Sequence, residues 1–302
     1  MTLLQTSGQA SVTYLVEMPQ DTAAGSLGER RGFAKPKYDV STPEARAAMK
    51  ETTEATARLF PMPDGAGDRN WEKASRGDRD RGLLARAVGS CEVDQLLGLN
   101  CLAEEKFCHA EDGVVMGLSV EVDGAQVLTK VKPEGGGRDV LCSLAVDYRD
   151  PRIQKGLSDL EVLDYITGQL DRHEGNIVIN PSTGKVKGID NDLAFPRPER
   201  AQVYQDWAEV QSNAVGTLPQ QIHAQTAKRL LQMDANEMGQ RLLQMPVPEG
   251  CNALTAQEVA GAVTRLKELQ AAVRDPQKAG IQVVREFNQQ TYDAAMEQQH
   301  QA

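Results

Sequence analysis

The stretch LDYITGQLDRHEGNIVIN, residues 163 to 180, sets Asp171, Arg172, His173 and Asn176 between a helical pattern and a strand pattern. A polar loop in that position is either a tight connection whose side chains satisfy the backbone, or an active site held by the elements around it. A second polar stretch, GIDNDLAFP, carries Asp190. Ile177 to Asn180, the turn PSTG and Lys185 to Ile189 read as a hairpin between the two. A hairpin returns Asp190 beside Asn176, so an amide oxygen and a carboxylate, both donors that suit a hard cation, face one side of the loop cluster. Asp192 is either a further carboxylate or an exposed turn acid. Arg172 cannot act as a base, because a guanidinium does not give up its proton. It is a structural or an anion-facing cation. His173 either bonds the backbone and shapes the loop or contacts an anion directly.

The elements that must position these residues follow from periodicity and punctuation. Ser158 and Glu161 have the spacing of a capping box and predict a helix start there, with Leu163, Ile166 and Leu170 as its buried stripe. Upstream, residues 12 to 18 and 31 to 37 read as strands, the second closed by proline. Residues 41 to 60 read as a helix capped by Thr42 with Pro43 in its first turn, and residues 82 to 99 as another. Residues 114 to 122 and 126 to 131 predict two strands around the turn Asp123-Gly124. Beyond Leu218 the pattern is almost wholly helical, with a second capping box at Thr255 and Glu258 and a stripe of Val259, Val263, Leu266 and Leu269. The polar end NQQTYDAAMEQQHQA is expected to fray. The expected class is α+β, with a small mixed lobe first and a mainly helical lobe after it.

The 302 residues suffice for a substantial core and for an enzyme. A net charge of −10 argues against duplex nucleic acid or an anionic membrane as the main partner. No stretch approaches transmembrane length, and the N-terminus lacks the pattern of a cleavable signal, so the protein is expected to work in a cytosol. The five cysteines, Cys91, Cys101, Cys108, Cys142 and Cys251, show neither CxxC spacing nor a dense framework, which predicts reduced, buried thiols.

Asp171 and Asn176 are spaced as in a protein-kinase catalytic loop, where the aspartate takes or orients a hydroxyl proton and the asparagine holds magnesium. LDYITGQLDRHEGN followed by KGIDNDLAFP resembles the catalytic and metal-binding loops of the phosphatidylinositol 3-/4-kinase-like superfamily, including divergent members such as actin-fragmin kinase and bacterial effector kinases. GFAKPK resembles the strand that carries the ATP-binding lysine, VDQLLGLN the end of the following helix, and MGLSVEVDG the strand leading into the hinge. The resemblance implies a two-lobed protein-kinase-like fold, with residues 1–124 as an N-lobe built on an antiparallel sheet. Residues 125–302 would be a mainly helical C-lobe holding the catalytic loop 171–176 and the metal-binding loop 188–196. It further implies that Lys35 pairs with the α- and β-phosphates, that Asp171 is the catalytic aspartate with His173 beside it in the loop, and that Asn176 and Asp190 hold Mg2+ or Mn2+. Gly25, Ser26 and Gly28 in GSLG would approach the ATP phosphates, and Glu121 and Val122 would offer their backbone to adenine at the hinge. One departure stands out: Ala87 occupies the place of the glutamate that usually partners the lysine. Glu92, Glu51 and Glu54 are the nearest alternatives, so the lysine's partner is unassigned and an activating partner protein is an open requirement.

The activity implied is ATP-dependent phosphoryl transfer to Ser, Thr or Tyr of a protein. A lipid acceptor ranks second, because the acidic chain has no basic or apolar insertion to face a membrane. Altered chemistry on the same fold, AMP transfer or glutamylation, is the third alternative. The compact chain and glutamine-rich tail resemble bacterial effector kinases delivered into a host cytosol.

Overall fold

The structure, a computed structural model, describes residues 2–7, 13–18, 30–36, 83–109, 115–122, 126–127, 130–131, 140–141, 146–196, 217–249 and 251–301. Five strands form an antiparallel sheet: β1 (Thr2–Ser7), β2 (Thr13–Met18), β3 (Arg30–Pro36), β4 (Glu105–His109) and β5 (Val115–Val120), in the order β1-β2-β3-β5-β4. β3 ends on Pro36, which has no N–H to continue the ladder. Between β3 and β4 runs α1 (Leu83–Leu97). Its small residues Ala85, Ala87, Gly89 and Ser90 are buried together with Val93 and Leu97, so α1 packs on several sides at once rather than along one stripe.

A three-stranded sheet and a pair of short strands follow. β6 (Gln126–Val127) joins β9 (Ile177–Asn180) and β10 (Lys185–Gly188), and β7 (Lys130–Val131) pairs with β8 (Val140–Leu141). The helical part contains α2 (Pro151–Thr167), α3 (Ala224–Gln232), α4 (Ala235–Leu243), α5 (Ala256–Arg274), α6 (Pro276–Ala279) and α7 (Gln289–Gln301). A parallel pair, β11 (Gln221–His223) before α3 and β12 (Gln282–Val284) before α7, joins distant parts of this segment. Ile153, Leu160, Leu163 and Ile166 of α2 share one buried cluster with Leu266 and Leu269 of α5. Truncating any one of these to alanine costs about 2–5 kcal/mol. The expected α+β class, an antiparallel sheet followed by a mainly helical part, is the one observed.

Several boundaries differ from expectation. α2 begins at Pro151, not at Ser158: Asp150 accepts from the Arg152 N–H, and Pro151 fills the first turn. Ser158 lies inside the helix, where its hydroxyl donates to the Gln221 carbonyl at 2.7 Å, so the capping-box spacing there is coincidental. Leu170 is buried, but it follows the helix end, which Gly168 marks in the left-handed region at φ 66°. The strands expected on either side of Asp123-Gly124 do not pair with each other: β5 lies between β3 and β4, whereas β6 joins β9. The polar end forms α7. The helix expected over 41–60 lies outside the described residues. The second capping box is present as read, with the Glu258 N–H donating to Thr255 Oγ1 at 3.2 Å and the Thr255 N–H to Glu258 Oε2 at 2.8 Å.

Among the described residues all four cysteines are free, Cys91 and Cys101 buried, and burial pushes both thiols up; Cys142 lies outside them. No helix among the described residues is long and apolar enough to cross a membrane.

Candidate active site

The polar loop after α2 is built by its own side chains. Once Gly168 has turned the chain, Gln169 is buried and works at both ends: its Oε1 accepts from the Leu170 N–H at 2.9 Å, and its Nε2 donates to the Asp190 carbonyl at 3.1 Å. The Asn176 N–H donates to the His173 carbonyl at 2.8 Å and closes a 3-10 turn over Glu174–Asn176. Asn176 is buried, and its Nδ2 donates to the Asp171 carbonyl at 2.8 Å. That bond fixes the amide so that Oδ1 is the atom left to accept or to bind a cation. The Ile189 N–H donates to the Asn176 carbonyl at 3.0 Å, which brings the returning hairpin onto the loop.

Asp190 then stands beside Asn176 with φ 57°, in the left-handed region. An aspartate there costs roughly 1–3 kcal/mol and persists only where its surroundings hold it. Gln169 on its carbonyl supplies one such hold.

Arg172 is the hub under both loops. Its Nε and Nη2 make a two-pronged contact with Asp164 of α2 at 2.9 and 3.0 Å, and its Nη1 donates to the carbonyls of Asn176 at 3.0 Å and Ile189 at 2.7 Å. Burial pushes the Asp164 carboxyl up while the facing guanidinium pulls it back. Gly188 makes room for this hub, because a Cβ there would lie 2.8 Å from the Arg172 guanidinium carbon and from Leu160. Of the two readings of Arg172, structural cation or phosphate-facing cation, the first is the one observed. His173 likewise shapes the loop: its Nδ1 accepts from the Gly175 N–H at 3.0 Å, so a neutral ring carries its proton on Nε2, 3.9 Å from Asp171 Oδ2.

The hairpin is anchored from the far side as well. Lys187 is 5 % exposed, and its ammonium donates to Asn100 Oδ1 at 2.6 Å and the Leu102 carbonyl at 2.7 Å. Burial pushes its pKa down. Asp94 of α1 accepts from the N–H groups of Cys101 at 3.1 Å and Leu102 at 3.0 Å, so the strand before Asp190 rests on a loop that α1 itself pins.

Asp171, His173, Asn176 and Asp190 are thus brought together. Lys35 lies in β3, its backbone in register with Gly117 of β5. Cross-strand partners share a face, and a Cβ on Gly117 would lie 2.6 Å from Leu84 of α1, so position 35 is on the face that α1 covers. Glu121 and Val122 directly follow β5 and are half-buried. Gly25, Ser26 and Gly28 lie outside the described residues, as do Glu51 and Glu54. Glu92 pairs with Arg241 of α4 at 2.7 Å, so that candidate partner of the lysine is engaged elsewhere. Among the described residues no three His, Cys, Asp or Glu gather as a metal cage. One amide oxygen and one carboxylate nevertheless suit magnesium, which keeps several waters and takes phosphate oxygens. Sequence reading missed Gln169, Asp164 and Lys187, whose roles depend on contacts that no local motif announces.

Comparison with known proteins agrees with the motifs. Residues 154–206 match the phosphatidylinositol 3- and 4-kinase family; most of α2, the loop of Asp171 and Asn176 and the loop of Asp190 lie within them. The chain is kinase-like over this segment, and the resemblance read from DRHEGN and GIDNDLAFP is borne out there. A crystal structure of the Helicobacter pylori proinflammatory kinase CtkA is similar over 88 % of this chain and 96 % of that chain, with 10 % identity and a TM-score of 0.39. No curated protein matches the sequence.

Proposed function

We propose that this chain is an ATP-dependent protein kinase that transfers the γ-phosphate to a Ser, Thr or Tyr hydroxyl. The observation that carries the reading is the interlock of the two loops: Asn176 is oriented by the Asp171 carbonyl, and Asp190 is returned beside it by the hairpin. Asp171 orients the acceptor hydroxyl and takes its proton as the oxygen attacks phosphorus. Asn176 Oδ1 and the Asp190 carboxylate hold the cation. A magnesium ion held by them would supply positive charge to offset the negative charge of the phosphates. His173 keeps the loop shape beside Asp171, and Lys35 pairs with the phosphates. With Glu92 committed to Arg241 and Glu51 and Glu54 outside the described residues, the lysine's partner is unassigned, and an activating protein that completes the site is part of the proposal.

The test is incubation of the purified chain with Mg2+ and ATP labelled at the γ or the α position, in parallel, with and without host lysate. Mg2+-dependent γ label on protein supports the proposal. Label from the α position would mean AMP transfer, γ label in the lipid fraction alone a lipid kinase, and no transfer in any arm would remove the reading.

A further inference from the structure

Asn191, the residue after Asp190, is 1 % exposed and has both ends of its amide engaged. Its Oδ1 accepts from Arg172 Nη2 at 2.5 Å, and its Nδ2 donates to Glu105 Oε1 at 3.0 Å. The orientation is forced by chemistry: a guanidinium only donates and an ionised carboxylate only accepts. An aspartate at this position would set two carboxylates face to face, and a leucine would bridge nothing.

The Glu105 end is as informative as the Arg172 end. Glu105 pairs in register with Ser119, which also pairs with Phe33, and Gly117 in turn pairs with both Phe107 and Lys35. Alternation along the strands therefore puts positions 105 and 35 on one face of the sheet. At the other end, Arg172 holds the carbonyls of Asn176 and Ile189, the backbone that presents the two metal-holding side chains.

We infer that Asn191 is a positioning residue that couples the lysine-bearing sheet to the metal-holding loops through the relay Glu105–Asn191–Arg172. This rests on the proposed kinase reading and deepens it: the relay sets where Asn176 and Asp190 stand relative to the sheet that carries Lys35. The relay acts through Arg172.

The test uses the full chain, wild type and two variants, Asn191→Asp and Asn191→Asp with Glu105→Gln. The single change sets a new carboxylate against Glu105. The double change supplies an amide on β4 that can donate to that carboxylate, while Arg172 keeps an acceptor. Three quantities are read: the Mg2+ concentration for half-maximal phosphate transfer, the Mg2+ dependence of ATP binding by calorimetry, and the melting temperature. Loss of a partner behind a metal site costs about 10- to 100-fold in metal affinity or activity, so the single variant should need about tenfold more Mg2+ in both assays. The double variant should recover most of that loss.

Unchanged Mg2+ dependence in the single variant overturns the inference. So does a folded double variant that stays as impaired as the single one, whatever the stability of the latter. A wild-type chain that, with host lysate supplied, does not transfer phosphate and does not bind Mg2+ with ATP overturns the kinase reading itself, and the relay with it. Wild-type activity combined with indifferent variants removes only the relay.

Discussion

Among the described residues, two little-exposed guanidinium groups, those of Arg86 and Arg172, face helix carboxylates and do different work. Arg86 of α1 meets Glu258 at the start of α5 at 2.6 Å, with exposures of 1 % and 0 %. The other oxygen of Glu258 closes the capping box with Thr255, so this pair ends on two rigid helices and fixes how they pack. Arg172 also meets a helix carboxylate, Asp164, but its remaining hydrogen bonds end on loop carbonyls and on Asn191. A charge clamped between helices specifies the fold, and one clamped to loop carbonyls specifies the shape of a site.

Substitutions in the two regions should separate activity from stability. Asp190→Ala removes the carboxylate that the kinase proposal assigns to the metal, at a partly exposed position, so phosphate transfer should vanish while the melting temperature stays within a few degrees. Paired activity and melting measurements on one preparation check this, and an active Asp190→Ala protein would contradict the metal assignment. Glu258→Gln should give the opposite result. Removing one member of a buried pair strands the other, a loss of about 3–5 kcal/mol in denaturant unfolding. Turnover measured well below the lowered melting temperature should change little.

Gly188→Ala tests where the two roles meet. The added methyl lies against the Arg172 guanidinium and Leu160, so overpacking should cost about 1–3 kcal/mol and disturb both loops. A fall in both turnover and stability is expected; loss of stability alone would mean that Arg172 is not what shapes the site.

The smallest effect is on acid stability. Burial alone would raise the Glu258 carboxyl, but Arg86 and Thr255 outweigh it and hold the group below the usual glutamate range. A depressed carboxylate contributes stability that is complete above its unfolded value of 4.5 and is lost as pH falls through the lower folded value. Melting temperatures of wild type and Glu258→Gln should therefore differ most near neutrality and converge in acid. A constant gap down to the acid limit would assign the stabilisation to packing instead.

The parts of this account that were legible in the sequence are those written over a few neighbouring residues. Asp171 and Asn176 share one loop, a four-residue turn returns Asp190, and Thr255 caps the helix that Glu258 opens. The same local logic misled at Ser158, because its pattern with Glu161 recurs inside a helix that Asp150 and Pro151 had already started. β4 was missed because EKFCH, with intermediate and exposed residues along it, has no clean alternation. Gln169, Asn191 and Lys187 carry no motif: their partners Asp190, Glu105 and Asn100 lie 21, 86 and 87 positions away, and only the folded chain brings them into contact. Glu92 shows the converse, a residue near the right place in sequence whose side chain turns out to serve α4.

Whether DRHEGN is a catalytic loop or only a well-satisfied connection is decided by Asp171→Asn. The change keeps size and most hydrogen bonds but removes the anion to which the kinase proposal gives the acceptor's proton. ATP binding by calorimetry and γ-phosphate transfer, measured on the same preparation, should show nearly unchanged affinity and a kcat lower by about 100-fold or more. Unimpaired transfer by Asp171→Asn would contradict the account, leaving the loop as a tight connection between α2 and β9.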